Sequence, residues 1–503
     1  MRWPVSGDET LSESPTGTRV SGPGTSVRDE VAGSSSARRA GSARRAGFGH
    51  RPERGGTEAR RQAVARGVVR ILNRAVDSSI LDIAVADRGT RTPVKTGTTG
   101  DLPYTAEGRA RASVVVNGPG ALGRLLFPPT PDAFAEGFLR GDLEIDGDVM
   151  AAVSAGEALD LRRLGAQDLR RLVRWGVALR RGVTRPPPLR RTARMVGARH
   201  SRARDLAAIR FHYDVGETFY GLWLDRRLTY SCAYFAPGTT PDAAAGMLDE
   251  AQEAKLALIA RKLRLSPGIR LLDIGCGWGS LLGYAAGSAG ADAVGVTLSK
   301  PQAEEANRRL VEADLRGLAY AEVRDYRDLG KLGLFDAVAS VGMFEHVGRA
   351  NLSIYFSAAF DALRPGGLFL NHGIAQASPT ESRVRSRLRP GSSHFVDRYV
   401  FPDGELLPVE TAIAAARAAG FELIDVQSLR PHYALTLAAW IGRLEANWDA
   451  AVAAAGEEVA RTWRLYMSAA RLGFERGDLD VCQLLVAKPG DDGPARLPLR
   501  PWW

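Results

Sequence analysis

The stretch Leu271-Leu272-Asp273-Ile274-Gly275-Cys276-Gly277-Trp278-Gly279-Ser280 has the residue types and spacing of a ligand-binding turn. An apolar run ends in an acid, three glycines follow at alternate positions, and a helical stretch begins at Leu281. That order predicts a buried parallel strand, a tight turn and a helix N-terminus. Glycine is needed where the backbone takes a positive φ, or where a ligand must approach the main chain. The helix end adds unpaired N–H groups and the positive end of its dipole. Together these suit the sugar and charged groups of a nucleotide-like cofactor. The spacing is Gly-x-Gly-x-Gly, not the Gly-x-Gly-x-x-Gly of dinucleotide sites. The difference favours S-adenosylmethionine (SAM). On this stretch alone, another nucleotide or a purely structural turn stays open.

Other candidates lie on either side of the turn. Phe211–Gly216 and Leu228–Phe235 are dense in aromatics and hydroxyls and hold one thiol, Cys232. A cysteine among aromatics more often packs than reacts. In Gly295–Gln302, Thr297 stands where many cofactor-binding sheets place an acid for ribose hydroxyls. Ser299 there suits a helix N-cap, and the Gln302 amide could reach a cofactor. In Arg324–Asp328, Asp325 could accept from an adenine amine and the Tyr326 ring could stack on adenine. In Ser340–Val347, Glu345 sits in an apolar setting, where a carboxylate usually has a partner or a task. His346 beside it reads more readily as structural than as catalytic.

The elements that must position these residues alternate between strand and helix. Strands are expected at Arg270–Ile274, Ala293–Thr297, Ala319–Val323, Ala337–Val341, Leu368–His372 and Glu422–Ser428. Helices are expected at Met247–Leu263, Gln302–Ala313, Asn351–Leu363 and Thr411–Ala419. The pattern implies an α/β domain with a parallel sheet covered on both faces. Ligands in such sheets sit at the carboxyl ends of the strands, which places Thr297, Asp325, Glu345 and His372 at a site by topology alone.

The rest of the chain frames this domain. Residues 1–60 are rich in Ser, Gly, Arg and Pro and predict a disordered tail. Residues 65–160 read as a small α+β domain, with a helix from about Glu58, strands at Ile80–Val85, Ala112–Val116 and Gly141–Asp148, and a helix at Ala133–Arg140. Residues 161–204 form a basic, partly helical linker in which Asp168 is the only acid. The catalytic domain spans 205–490 and a tail 491–503, whose final tryptophans suit either disorder or a membrane interface. The net charge of +10 fits contact with an anionic membrane or nucleic acid, or a simple arginine bias. Three scattered cysteines suggest neither a disulfide framework nor a metal site. No apolar run reaches the ~18–20 residues needed to span a bilayer. These features predict a cytoplasmic protein.

The segments His212–Gly216, Tyr230–Cys232, Leu272–Gly279, Gly295–Gln302, Ser340–Gly348, Asn371–Ile374 and Tyr399–Gly404 together resemble the cyclopropane-fatty-acyl-phospholipid synthases, a family that includes the mycolic acid cyclopropane synthases. His432-Tyr433, Leu435–Leu437, Trp440 and Phe474–Lys488 extend the resemblance, which covers roughly residues 205–488. Residues 65–160 look, more weakly, like the small N-terminal domain of the longer bacterial synthases. The resemblance implies a Rossmann-like class I SAM methyltransferase. Such an enzyme methylates the cis double bond of an unsaturated phospholipid at the inner face of the membrane and closes a cyclopropane ring. It implies no nucleic acid partner. It implies a bicarbonate ion held by Cys232, Glu345, His372 and Tyr433 and by the backbone of Ile374. It also implies SAM contacts from Tyr230, Ser231, Gly275, Gly277, Leu298, Gln302 and Tyr326, to which the strand-end argument adds Asp325. A homodimer is a further expectation from the family. Two departures bear on the product. Gly373 stands where relatives often have threonine, and the long segment Gln376–Arg398, with Arg383, Arg385, Arg387 and Arg389, could act as a lid or a phosphate-contacting loop. A methylene- or methyl-branched product without ring closure is the alternative. More distant alternatives are a small-molecule N-methyltransferase and a non-catalytic lipid-binding protein.

Overall fold

The protein is described here by a computed structural model covering residues 53–86, 111–127, 129–157, 163–181, 183, 186, 188–376 and 394–503. Most of the expected tail 1–60 and the arginine-bearing stretch 383–389 lie outside these residues. The first elements are α1 (Glu53–Leu72), β1 (Leu81–Val85), β2 (Ala112–Val116), α2 (Pro119–Leu126), α3 (Pro131–Leu139), β3 (Leu143–Gly147), α4 (Val149–Glu157), α5 (Ala166–Arg180) and α6 (Arg202–Tyr213). Next come α7 (Glu217–Gly221), α8 (Pro241–Lys262), β4 (Arg270–Ile274), α9 (Ser280–Ala289), β5 (Asp292–Thr297), α10 (Lys300–Glu312), β6 (Ala319–Val323) and β7 (Phe335–Val341). The chain ends with α11 (Phe344–Val347), α12 (Leu352–Ala362), β8 (Leu363–Gln376), α13 (Phe395–Tyr399), α14 (Val409–Ala418), β9 (Glu422–Ser428), α15 (Arg430–Ala446), α16 (Trp448–Ala455), α17 (Glu457–Arg476) and β10 (Leu479–Ala487).

Seven strands form the main sheet in the order β6-β5-β4-β7-β8-β10-β9. In the central β4, Leu271 to Ile274 are all buried, as expected for a strand covered on both faces. Alternate residues serve opposite layers. Leu271, Ala293 and Ala337 pack with Leu256, Leu282 and Ala306 from α8, α9 and α10. Leu272, Val294 and Val338 pack with Phe356 and Ala412 from α12 and α14. Thr240 caps α8 and Ser299 caps α10, each accepting from a backbone N–H in the first turn, with proline at N1 or N2. The sheet differs from the expected parallel one at β10, which pairs antiparallel with both β8 and β9. The chain reaches β10 from the helices α15–α17 and slots between two strands already running the other way. An apolar run such as Leu479–Ala487 fits a buried strand of either direction, so composition does not reveal this.

The N-terminal elements form a three-stranded sheet, β1-β2-β3, with β1 parallel and β3 antiparallel to β2. Its core is continuous with that of the aromatic segments further on: Val68, Leu125 and Leu143 belong to the same buried cluster as Tyr220, Trp223, Trp440 and Trp463. An ion pair reinforces the junction. Arg461 on α17 reaches Glu144 on β3 at 2.7 Å and donates to the Phe138 carbonyl at 3.0 Å, with both side chains buried. The expected linker contains α5, which packs on α1 and α2. Gly176 lets it come so close that a Cβ there would lie 2.3 Å from the Phe127 ring. Farther on, the amides of Arg190 and Arg191 donate to the Glu458 carboxylate.

The C-terminal tryptophans lie against the end of α8. Trp502 donates from Nε1 to the Arg261 carbonyl at 3.1 Å, the Arg264 guanidinium sits 3.8 Å from the centre of its ring, and Lys262 stands over Trp503. Among the described residues, no helix is long and apolar enough to cross a membrane.

Candidate active site

The carboxyl ends of β4, β5 and β7 open onto a cleft, the place where sheets of this kind bind ligands. The glycine turn forms its floor. Gly275, Gly277 and Gly279 all take positive φ, and Gly279 is the left-handed residue from which α9 starts. A side chain at Gly277 would project into open space, whereas one at Gly279 would meet Ala306 Cβ at 2.9 Å. One glycine thus leaves room at the cleft and another permits helix packing. Tyr230, Ser231, Leu298, Gln302 and Tyr326 complete the lining together with Gly275 and Gly277. The Gln302 amide oxygen accepts from Thr297 Oγ1 at 3.0 Å, and Thr297 Oγ1 accepts from the Ser299 amide, so both polar side chains are oriented. Among the described residues the buried Tyr326 hydroxyl has no hydrogen-bond partner, nor does Asp273 Oδ1. Burial raises the Asp273 carboxyl to about 7 against the pull of Lys255. A floor without side chains and open polar atoms on the walls fit a nucleoside with a charged amino-acid end.

Asp325 does not join this lining. Its carboxylate is bound by the Arg327 side chain and backbone amide, and Arg327 also pairs with Asp205. With both oxygens engaged there, Asp325 is the least suited of the expected contacts to meet an adenine amine.

A second group of side chains is buried deeper. Glu345, at the start of α11 just past β7, is 3% exposed. Its Oε1 accepts from the Ile374 amide at 2.6 Å, while Oε2 has no partner among the described residues. Burial lifts its carboxyl to about 7, the Ile374 N–H opposing the shift. His372 lies on β8, two residues before Ile374 and so on the same face. Its Nδ1 lies 3.3 Å from Gln483 Nε2 and its Nε2 has no partner among the described residues. Burial holds its pKa down at about 3, so the ring is neutral. Tyr433, on the first turns of α15, is pushed far above its ordinary range, by burial first and then by Tyr466, Cys232 and Glu345. Cys232 is fully buried beside the start of α15, with Sγ 3.8 Å from the Leu429 carbonyl, and burial keeps it a neutral thiol. Tyr433 thus lies within electrostatic reach of both Cys232 and Glu345.

Gly373, the departure on β8, is explained by Phe344: a Cβ there would stand 3.0 Å from Phe344 Cβ. His346 lines the cleft, stacks on Phe401 at 4.2 Å, and is held neutral by burial. Sequence reasoning missed Tyr466 on α17, which couples to Tyr230, Tyr433 and Glu345. It also gave no role to Tyr213, which lines the cleft and couples to Glu345. The one sign of Tyr466 in the sequence was an aromatic on an otherwise amphipathic helix. Around these groups stands an aromatic wall in which Tyr230 stacks on Trp440 at 5.2 Å and Tyr220 meets Trp223, Trp278 and Trp463.

Residues 200–484 match the family profile described as mycolic acid cyclopropane synthetase. The chain belongs to this family. It is a SAM-dependent methyltransferase of that group, with the class I fold. A probable fatty acid methyltransferase of Pseudomonas putida is 39% identical over 77% of this chain and 90% of its own length. The cyclopropane-fatty-acyl-phospholipid synthase of Escherichia coli strain K12 is 35% identical over 61% of this chain and 76% of its own. Among solved structures, the cyclopropane synthase MmaA2 of Mycobacterium tuberculosis superposes with a TM-score of 0.52 at 32% identity, covering 57% of this chain and 99% of that one. The mycolic acid cyclopropane synthase CmaA1, in complex with SAH and CTAB, gives 0.51 at 34% identity over 56% of this chain and 98% of that one.

Proposed function

We propose that this enzyme transfers the methyl group of SAM to the cis double bond of an unsaturated phospholipid acyl chain and closes a cyclopropane ring. The observation that carries the reading is the half-bonded Glu345 carboxylate, one oxygen tied to the Ile374 amide and the other open, within electrostatic reach of buried Tyr433, which Cys232 also influences. SAM supplies a methyl cation equivalent: its S–CH₃ bond breaks as a C–C bond forms on the alkene. The lipid cation then loses a proton from the new methyl group to close the ring. The base for that proton would be a small proton-accepting anion such as bicarbonate, which the open Glu345 Oε2 and His372 Nε2 would hold. Glu345 would accept its hydroxyl proton, and the His372 and Tyr433 side chains and the Ile374 backbone would position it. The aromatic wall keeps water from the cation and faces it with π density.

Access to lipid is supported by α5. Leu169, Val173 and Val177 are exposed at four-residue spacing, with Arg170, Arg171, Arg174, Arg180 and Arg181 exposed around them. Such a face suits peripheral contact with an anionic membrane.

A second reading, methyl transfer without ring closure, is favoured by the 39% identity to a probable fatty acid methyltransferase, above the 35% to a cyclopropane synthase. The experiment is incubation with SAM and vesicles of cis-unsaturated phospholipid, followed by mass spectrometry and NMR of the lipids. A gain of one CH₂ with ring-methylene resonances supports the first reading. Olefinic methylene or branched-methyl signals support the second, and no mass gain defeats both.

A further inference from the structure

Lys255 belongs to none of the motifs that mark the site in the sequence, yet it lines the cleft. It is 1% exposed, on a face of α8 shared with Ala251, Gln252, Leu256 and Ile259. Its Nζ donates to Ser231 Oγ at 3.0 Å and forms no ion pair among the described residues. A buried ammonium ordinarily has a carboxylate partner. The two acids that influence it, Asp225 and Asp273, do not serve. Asp225 is bound to the amide and hydroxyl of Thr229, and Asp273 Oδ1 is left open. The other cations of the cleft are taken, Arg327 by Asp325 and Asp205, and Arg324 by Glu322.

The cleft therefore holds one buried cation with a single neutral partner and, at the end of β4, one buried acid with an open oxygen. The polar groups suited to an adenosine, Thr297, Gln302 and Tyr326, lie at the ends of β5 and β6, away from this pair. The carboxylate of an α-amino acid supplies the charge that Lys255 lacks.

We propose that Lys255, together with the Ser231 hydroxyl that it holds, receives the carboxylate of SAM. The proposal rests on the SAM reading above and adds residues that read the amino-acid end. Burial presses the Lys255 ammonium down to about 8, a cost that an incoming carboxylate offsets. Lys255 touches no reacting atom; it fixes where the sulfonium stands relative to the acyl pocket.

The test is calorimetric binding of S-adenosylhomocysteine and of 5′-methylthioadenosine, which lacks the amino-acid end, to the full-length protein and to Lys255→Met. The variant is expected to lose ~10–100-fold in affinity for S-adenosylhomocysteine and to stay within about threefold for methylthioadenosine. Equal losses for both ligands would mean that Lys255 only supports the fold, and would overturn the proposal. If the variant does not fold, the wild-type protein decides the matter through decarboxylated S-adenosylhomocysteine. Binding about tenfold or more weaker than the parent supports the assignment, and equal affinity overturns it. A wild-type protein that binds none of the three sinks the SAM reading itself and the proposal with it.

Discussion

The Glu345 carboxylate is bonded on one side only: Oε1 accepts from the Ile374 amide at 2.6 Å, and Oε2 has no partner among the described residues. Most buried carboxylate oxygens have a partner, so an open one marks a place where a ligand can bind. Glu345→Gln keeps the bond to Ile374, since the amide oxygen can still accept, but it replaces the open acceptor with a donor. Turnover is expected to fall by about 10²-fold or more, with S-adenosylhomocysteine affinity changed little. Steady-state rates set beside calorimetric affinity separate the two, and parallel losses would contradict the division of the site into a cofactor cleft and an acyl pocket.

The same residue gives a pH signature without substrate. Its folded pKa of about 7 lies above the ordinary 4.5 because burial disfavours the charged form. The folded protein thus holds this proton more tightly than the unfolded chain does. The resulting stability is fully present below about pH 4.5 and is lost as pH rises through about 7. At pH 8 the ionised group costs on the order of 3 kcal/mol. Glu345→Gln should therefore raise Tm relative to wild type more at pH 8 than at pH 5. A difference in Tm that does not vary with pH would show that Glu345 is not buried as a carboxylic acid.

Gly277 and Gly279 share positive φ but should respond differently to alanine. At Gly279 the new Cβ adds a clash with Ala306 to the strained backbone, with a stability loss of about 1–3 kcal/mol. At Gly277 the Cβ meets no protein atom, so stability falls by about 1 kcal/mol from the left-handed backbone alone. Its methyl group instead occupies the cleft floor, and S-adenosylhomocysteine binding should weaken beyond what the Tm shift explains. Thermal melts and titrations on both variants check this.

The parts of this protein that local sequence fixes were the legible ones. The Leu271–Ser280 turn, the Ser299 cap and the period of the parallel strands depend on neighbours a few residues away, and they appear where expected. The residues of the proposed acyl pocket depend instead on tertiary placement. Cys232, Glu345, His372 and Tyr433 come from four separated segments, and only a family pattern linked them. Lys255 and Tyr466 were invisible because each occupies an ordinary position in a helix and acquires meaning from what lies across the fold. Asp325 looked available at a strand end until Arg327, two residues on, was seen to occupy it. The direction of β10 and the docking of Trp502 on α8 are tertiary facts with no periodicity to announce them.

The Glu144–Arg461 pair ties the N-terminal sheet to α17, the helix that carries Trp463 and Tyr466. Both side chains are buried, and removing Glu144 leaves the Arg461 guanidinium with the partly exposed Glu457 and the Phe138 carbonyl alone. Glu144→Ala should cost about 1–3 kcal/mol, while the double replacement Glu144→Leu with Arg461→Met should recover most of it. Because the buried core is continuous across this junction, unfolding should remain a single transition whether followed by tryptophan fluorescence or by circular dichroism. Two separated transitions would mean that the N-terminal sheet is an independent unit.

The exposed stripe of Leu169, Val173 and Val177 on α5 should separate two components of membrane binding. On the proposed membrane contact its apolar residues would insert, and that contribution would be insensitive to salt. The surrounding arginines attract anionic headgroups at about 1 kcal/mol each, and screening weakens that term. Replacing Arg170, Arg171 and Arg174 with glutamine should therefore reduce sedimentation with phosphatidylglycerol-containing vesicles by up to ~100-fold at low salt, and by much less at high salt. Val173→Asp should weaken binding at both salt concentrations, because a charge in the middle of the stripe must be desolvated on insertion. None of these side chains belongs to a buried cluster, so Tm should hold within a few degrees and a loss of binding cannot be put down to unfolding. Vesicle binding unchanged in the triple arginine variant at low salt would remove α5 as the membrane-facing element and leave the route of lipid to Glu345 to another surface.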